Sequence, residues 1–258
     1  ALITTLSERG HTIFTARMAA EFLSQPSATV RKRLHRLTQQ RWLLRLEKGK
    51  YLIVPLSAGP EGRFTENELV IASHLIAPYY ITYRTALSFY GYTEQPSRLV
   101  YIAATKRKSP LAFHGLTYRV VTLASHKFFG LAKVWVGEHA VMMAEREKTI
   151  VDGLDHPEYA GGIVEIGKAL WRGRAELDFK RIADYSLRMR NGAVVKRLGF
   201  LLERFDLGAS SLLEALQRQL SAGYAHLDPL SPPYGRHNAR WRVLVNLSED
   251  DLRNWRET

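Results

Sequence analysis

Residues 26–55 change hydrophobic period midway, and few folds accommodate that change. From Ser27 to about Gln40, the apolar residues Val30, Leu34 and Leu37 recur at helical spacing. At about 100° per residue they fall on one side of a helix. Trp42 is expected to extend this buried stripe. The opposite side carries Ala28, Lys32, His35, Arg36 and Gln39, with Arg31 and Arg33 on the flanks. The pattern then changes. Trp42 to Leu46 reads as a strand, and Glu47-Lys48-Gly49-Lys50 as a turn with glycine where positive φ costs least. Tyr51 to Val54 reads as the returning strand, and Pro55 ends it.

The preceding segment supplies a partner for this helix. Leu2 to Arg9 reads as a short helix closed by Gly10, and His11 to Phe14 as extended chain. Thr15 is placed to cap a helix with Met18, Ala19, Phe22 and Leu23 on one face. Ser24-Gln25-Pro26 breaks it, with Pro26 suited to the first turn of the next helix. Two short helices joined by a tight turn, the second one basic and followed by a hairpin, predict a winged helix-turn-helix over residues 1–57.

Charge points the same way. The chain has a formal net charge of +12, and residues 1–57 hold ten Lys or Arg against three Asp or Glu. That local excess lies between Leu23 and Lys50. A basic balance favours a polyanionic partner, here double-stranded DNA. Arg31, Arg33, Lys48 and Lys50 are expected to meet phosphates. Ser27, Ala28, Thr29, Lys32, His35 and Arg36 are expected near base edges, although Ser27 and Thr29 read equally well as capping groups at the helix start.

Ala58-Gly59-Pro60-Glu61-Gly62 reads as a linker to a second region, residues 63–258. Thr65-Glu66-Asn67-Glu68 has the form of a capping box, and Thr82 to Tyr90 reads as a helix ended near Gly91. Strands follow at Leu99–Ala103, Leu116–Leu123, Val134–Val136 and Ala140–Met142. Glu145 to Leu154 is expected to be helical, as is most of Tyr159 to Leu220. A late strand over Trp241–Leu247 precedes a short helix capped at Ser248. The expected class is α+β, a winged helix-turn-helix followed by a larger mixed domain with strands first and then mainly helices.

Chemistry-bearing motifs are sparse. No cysteine is present, which removes disulfides, thiolate metal sites and thiol nucleophiles. GxGxxG, GxxxxGK[ST], HExxH and GxSxG are all missing. Asp152 and Asp155 share a helix with Glu145 and Glu147, but the intervening Arg146 and Lys148 favour local ion pairs over a metal site. No enzyme activity, cofactor or metal is expected. No apolar run reaches membrane-spanning length and no signal peptide is recognised, so a cytoplasmic protein without a membrane partner is expected. Lys106-Arg107-Lys108, between two strands, reads either as a solvated loop or as a second basic contact.

Four segments carry a resemblance to a known family. They are Lys48-Gly49-Lys50-Tyr51-Leu52-Ile53-Val54-Pro55; Tyr79 to Gly91 continuing to Thr93-Glu94-Gln95; Val100-Tyr101-Ile102-Ala103-Ala104-Thr105-Lys106-Arg107; and Glu145-Arg146-Glu147-Lys148-Thr149-Ile150-Val151-Asp152. In these the chain resembles the AbiEi-type antitoxins of abortive-infection systems. The resemblance implies an N-terminal winged helix that represses its own operon at inverted repeats. It also implies a C-terminal domain that counters an AbiEii-like nucleotidyltransferase toxin. It assigns no residue to toxin contact. Two other readings remain: a ligand-responsive regulator whose pocket uses Tyr79, Tyr80, Tyr83, Phe89 and Tyr90, and a nuclease.

Overall fold

The computed structural model of the chain describes residues 2–55 and 66–253. The expected linker at 58–62, the Thr65 end of the capping box and the domain limits at 57 and 63 lie outside the described residues.

The N-terminal unit runs α1 (Leu2–Glu8), β1 (Ile13–Thr15), α2 (Ala16–Leu23), α3 (Ser27–Gln39), β2 (Leu43–Glu47) and β3 (Lys50–Ile53). Its strands form an antiparallel sheet in the order β1-β3-β2. The sheet's alternation decides how the unit packs. Phe14, Leu43 and Ile53 point to the helices, where they join Leu2, Leu6, Ala19, Val30 and Leu34 in one core. Their neighbours Ile13 and Leu52, with Leu46, enter a different core, shared with the next helix of the chain.

That helix is α4 (Glu68–Ser73), capped by Asn67, whose side-chain oxygen accepts from the Leu69 N–H at 2.8 Å. Next come β4 (Tyr79–Ile81), α5 (Tyr83–Phe89), β5 (Leu99–Ala104), β6 (Leu111–Phe113) and β7 (Leu116–Thr122). A 3-10 turn at Ser125–Lys127 leads to β8 (Leu131–Val136) and β9 (His139–Ala144). These strands make one mixed sheet in the order β6-β7-β5-β4-β9-β8. Only β5/β7 and β4/β9 pair in parallel. Six helices follow: α6 (Arg146–Asp155), α7 (Pro157–Ala160), α8 (Ile163–Arg172), α9 (Phe179–Arg188), α10 (Gly192–Phe205) and α11 (Ser210–Gln217). A small sheet of β10 (Ala225–His226), β11 (Arg236–Asn238) and β12 (Val243–Val245) and the helix α12 (Glu249–Arg253) follow. The chain is mixed α+β, with strands early and helices late.

Four described strands have no counterpart in the sequence pattern: β4, β6, β10 and β11, each of two or three residues. β4 is three residues long and sits in mid-sheet between β5 and β9; a strand that short gives no readable alternation. β6, equally short, pairs only with β7 at the sheet edge. Trp42 departs from expectation more sharply. It does not extend the α3 stripe but stands 41% exposed.

Helix α6 ties the sheet to the helical layer through buried charge. Lys148 and Asp152, one turn apart, form an ion pair with both side chains fully buried. Asp152 also accepts from the Tyr80 hydroxyl at 3.1 Å and the Thr82 hydroxyl at 2.7 Å. Asp155 takes Lys127 at 2.7 Å and the Asn191 amide at 2.7 Å. Burial and the Asp152 charge hold the Tyr80 hydroxyl well above its ordinary pKa. In the helical core, Trp241 presses against α10 at Gly199, where a Cβ would stand 2.0 Å from the ring. A methyl group has no room there.

A buried pair that loses one member leaves an uncompensated charge. Asp152→Ala should therefore lower unfolding stability by about 3–5 kcal/mol, measured by chemical denaturation. A loss below about 1 kcal/mol would mean that the network does not tie the two layers together.

Candidate nucleic-acid interface

The interface begins with how α2 and α3 are set against each other. Thr15 Oγ1 accepts from the Met18 N–H at 3.1 Å and so starts α2. Ser24 ends it in the left-handed region at φ 49°, its N–H bonded to the last-turn carbonyls. Pro26 then holds φ at −56° immediately ahead of α3. No side chain caps α3, so Ser27 and Thr29 are not capping groups, and both are exposed.

Val30 and Leu34 are fully buried on the inner face of α3, with Leu37 packed partly against the same core. The outer face presents Ala28, Arg31, Lys32, His35, Arg36 and Gln39 to solvent, and Arg33 is half-buried on its flank. Arg31 folds back to donate from Nε to the Ser27 carbonyl at 3.2 Å. Among the described residues, Arg31, Lys32, Arg33 and Arg36 form no ion pair. A depression of about 430 Å³ between the end of α2 and α3 is lined by Gln25, Thr29, Lys32, Arg33 and Arg36. Three cations, one amide and one hydroxyl converge there without a carboxylate, a donor set suited to phosphate oxygens.

The β2–β3 tip separates two lysines that the sequence groups together. Lys48 is exposed, and Gly49 turns the chain at φ +76°. The Gly49 carbonyl accepts from the Ala16 N–H at 2.8 Å, tying the tip to the start of α2. Lys50 points the other way. Its ammonium pairs with Glu47 at 2.7 Å and donates to the His74 carbonyl, so it is not the free phosphate contact expected of it. Lys108 is likewise engaged, at 2.6 Å from the second Glu47 oxygen. Its neighbours Lys106 and Arg107 are exposed. Glu47 thus bridges two lysines from different parts of the chain. Burial pushes its carboxyl pKa up, but hydrogen bonds from Lys108 and Lys50 outweigh this and hold it below the ordinary glutamate value.

Gln25, which in the sequence only marks the break between two helices, lines the depression, and Glu47 bridges two lysines. Glu47 and Lys50 sit three residues apart across the turn and were open to inspection. The Lys108 partner is 61 residues away from Glu47 and has no local signature.

Elsewhere, the acids of 145–155 each have a protein partner: Asp152 and Asp155 as above, and Glu147 accepts from the Asp178 N–H at 3.1 Å. Arg146 meets Glu176 at 3.0 Å, and Glu145 accepts from the Tyr185 hydroxyl at 2.6 Å. Among the described residues no three His, Cys, Asp or Glu are grouped to hold a metal ion. Tyr80 and Tyr83, expected as pocket walls in the ligand-responsive reading, are fully buried core residues; Phe89 is 41% exposed at the rim of a depression of about 340 Å³. Among the described residues, no helix is long and apolar enough to cross a membrane.

No family's sequence model matches this chain, and no curated protein does. Its structure is similar to the crystal structure of the protein RV2827C from Mycobacterium tuberculosis, with a TM-score of 0.71 over 99% of this chain and 93% of that one. At 13% identity, the likeness is one of fold alone.

The Glu47 bridge makes a pH prediction. A carboxylate with a depressed folded pKa stabilises above its unfolded value, near 4.3, and that contribution fades as pH falls through the folded value. The stability gap between wild type and Glu47→Gln should be constant from pH 7 to about 5 and close below about 4.3. A gap that persists unchanged at pH 3 would show that the charge of Glu47 contributes nothing.

Proposed function

We propose that the N-terminal unit is a winged helix-turn-helix that binds double-stranded DNA, and that the chain is a transcriptional autorepressor acting at inverted repeats upstream of its own operon. The observation that carries this reading is the outer face of α3. It presents exposed cations that, among the described residues, have no ion-pair partner, on a helix anchored by Val30 and Leu34. Unpaired cations in solvent pay no desolvation cost in advance and can exchange counterions for phosphates. Lys32, His35 and Arg36 point away from the core at spacing that suits base edges in a major groove. Lys48 at the hairpin tip is placed for a flanking phosphate. A role as antitoxin to an AbiEii-like nucleotidyltransferase rests on the sequence resemblance to AbiEi-type proteins.

Binding of the full chain to the upstream repeats and to a scrambled duplex of equal length tests the reading. Lys32→Ala should cost about 1–3 kcal/mol on the repeats and less on the scrambled duplex. Lys48→Ala should weaken both alike and make the slope of log K against log salt shallower by about 0.9. Wild-type behaviour in both variants would remove α3 and the tip from the interface.

The antitoxin role has its own test. Deleting residues 1–57 would strip Ile13, Leu46 and Leu52 from a core shared with Leu69 and Ile71, so point variants are the cleaner tool. The Lys32→Ala/Arg36→Ala chain should still rescue growth when co-expressed with a neighbouring nucleotidyltransferase, while losing repression of a reporter. Failure of the wild-type chain to rescue would reject the antitoxin role.

A further inference from the structure

Two basic segments far apart in sequence meet at one place. Glu47 closes β2 and stands next to Lys48, while Lys108 belongs to the β5–β6 loop. The 2.6 Å pair between Glu47 and Lys108 holds that loop against the hairpin tip. Extended chain spans at most about 3.6 Å per residue, so the Lys106 and Arg107 backbones lie within roughly 7 Å of that of Lys108. Both side chains are exposed, and among the described residues neither has an ion-pair partner. Five cations (Lys48, Lys50, Lys106, Arg107 and Lys108) therefore gather around one carboxylate. Lys50 and Lys108 are held by it; Lys48, Lys106 and Arg107 are left to solvent. Their mutual repulsion is screened by salt and would be relieved by a polyanion.

We propose that the β5–β6 loop is part of the DNA interface: Lys106 and Arg107 contact phosphates of the duplex beside those reached by Lys48, and Lys108 acts as the strut that positions them. The inference rests on the DNA-binding reading above and extends it. The larger domain then contributes directly to affinity. Geometry favours DNA over an acidic protein, because the loop is fixed beside the hairpin tip of the same unit that carries α3. The apolar packing of Ile13, Leu46 and Leu52 with Leu69, Val70 and Ile71 in one core keeps the two parts in one orientation. Contacts of this kind carry no sequence information and add to the salt dependence.

The test uses the full chain, the duplex bearing the upstream repeats and the scrambled duplex, titrated by fluorescence anisotropy between 50 and 200 mM salt. K106A/R107A is compared with wild type, with K48A, and with K133A/R218A, which removes equal charge elsewhere, Lys133 lying on the edge strand β8 opposite β6. K106A/R107A should bind both duplexes about tenfold more weakly and lower the salt slope by about 1–2, while the control variant stays within twofold of wild type. E47Q removes one acidic charge and frees Lys50 and Lys108, so charge alone would strengthen binding; weaker binding is expected, because the strut no longer positions the loop. The inference is overturned if K106A/R107A matches wild type or the control while K48A behaves as expected; the DNA-binding reading then stands alone. If the wild-type chain shows no salt-dependent binding at all, both fall. A variant that binds DNA normally but no longer neutralises the toxin would assign the loop to an acidic protein partner and contradict the proposal.

Discussion

Successive residues of a strand point to opposite faces, and in the small sheet β1-β3-β2 both faces are covered. Phe14, Leu43 and Ile53 pack under the three N-terminal helices. Ile13, Leu46 and Leu52 pack against α4 and the large mixed sheet. Each buried aliphatic side chain of this kind is worth about 1.5–3 kcal/mol. The sheet is therefore the shared wall of two cores. It fixes where α3 and the hairpin tip stand relative to the larger domain, and any account of ligand binding by the N-terminal unit has to include that domain.

Electrostatics completes what packing begins. The protein treats its basic residues in two ways. Lys50, Lys108, Lys127 and Lys148 are each held by a carboxylate; the Lys108 and Lys127 pairs join segments distant in sequence, and the Lys148 pair lies in the network between the sheet and the helical layer. Lys32 and Arg36 of α3 and Lys48 at the hairpin tip are exposed and, among the described residues, have no ion-pair partner. A buried pair fixes geometry, at a desolvation cost that its hydrogen bonds must offset. An exposed cation contributes little to stability and remains available to a polyanion. The net charge of +12 says nothing of this division, which only the placement of side chains supplies.

Much of this was legible in the sequence, for physical reasons that can be named. Val30 and Leu34 at helical spacing identified both the buried and the cationic face of α3. Thr15 as a cap and Gly49 as a positive-φ turn are local chemistry, and each occupies the expected place. Lys148 paired with Asp152 through a one-turn spacing that can be read directly. What was missed is non-local. β4 is too short to show a period and exists because β5 and β9 flank it. Trp42 looks like a core residue by type, yet it sits beyond the end of α3 and 41% exposed. Lys50 and Lys108 looked like free cations because the carboxylate they share is claimed from both sides only in the folded chain.

The central claim is that α3 and the β2–β3 tip form the surface that meets DNA. Site-specific photocross-linking addresses it most directly, with a benzophenone side chain placed in the full chain at His35, at Lys48 or, as an exposed control in the larger domain, at Tyr234, which is 81% exposed. Irradiation with the duplex bearing the upstream repeats should give protein–DNA adducts from positions 35 and 48 that diminish as salt is raised, and none from 234. Adducts from position 234 with none from 35 or 48 would contradict the account and move the interface to the other end of the molecule's sequence.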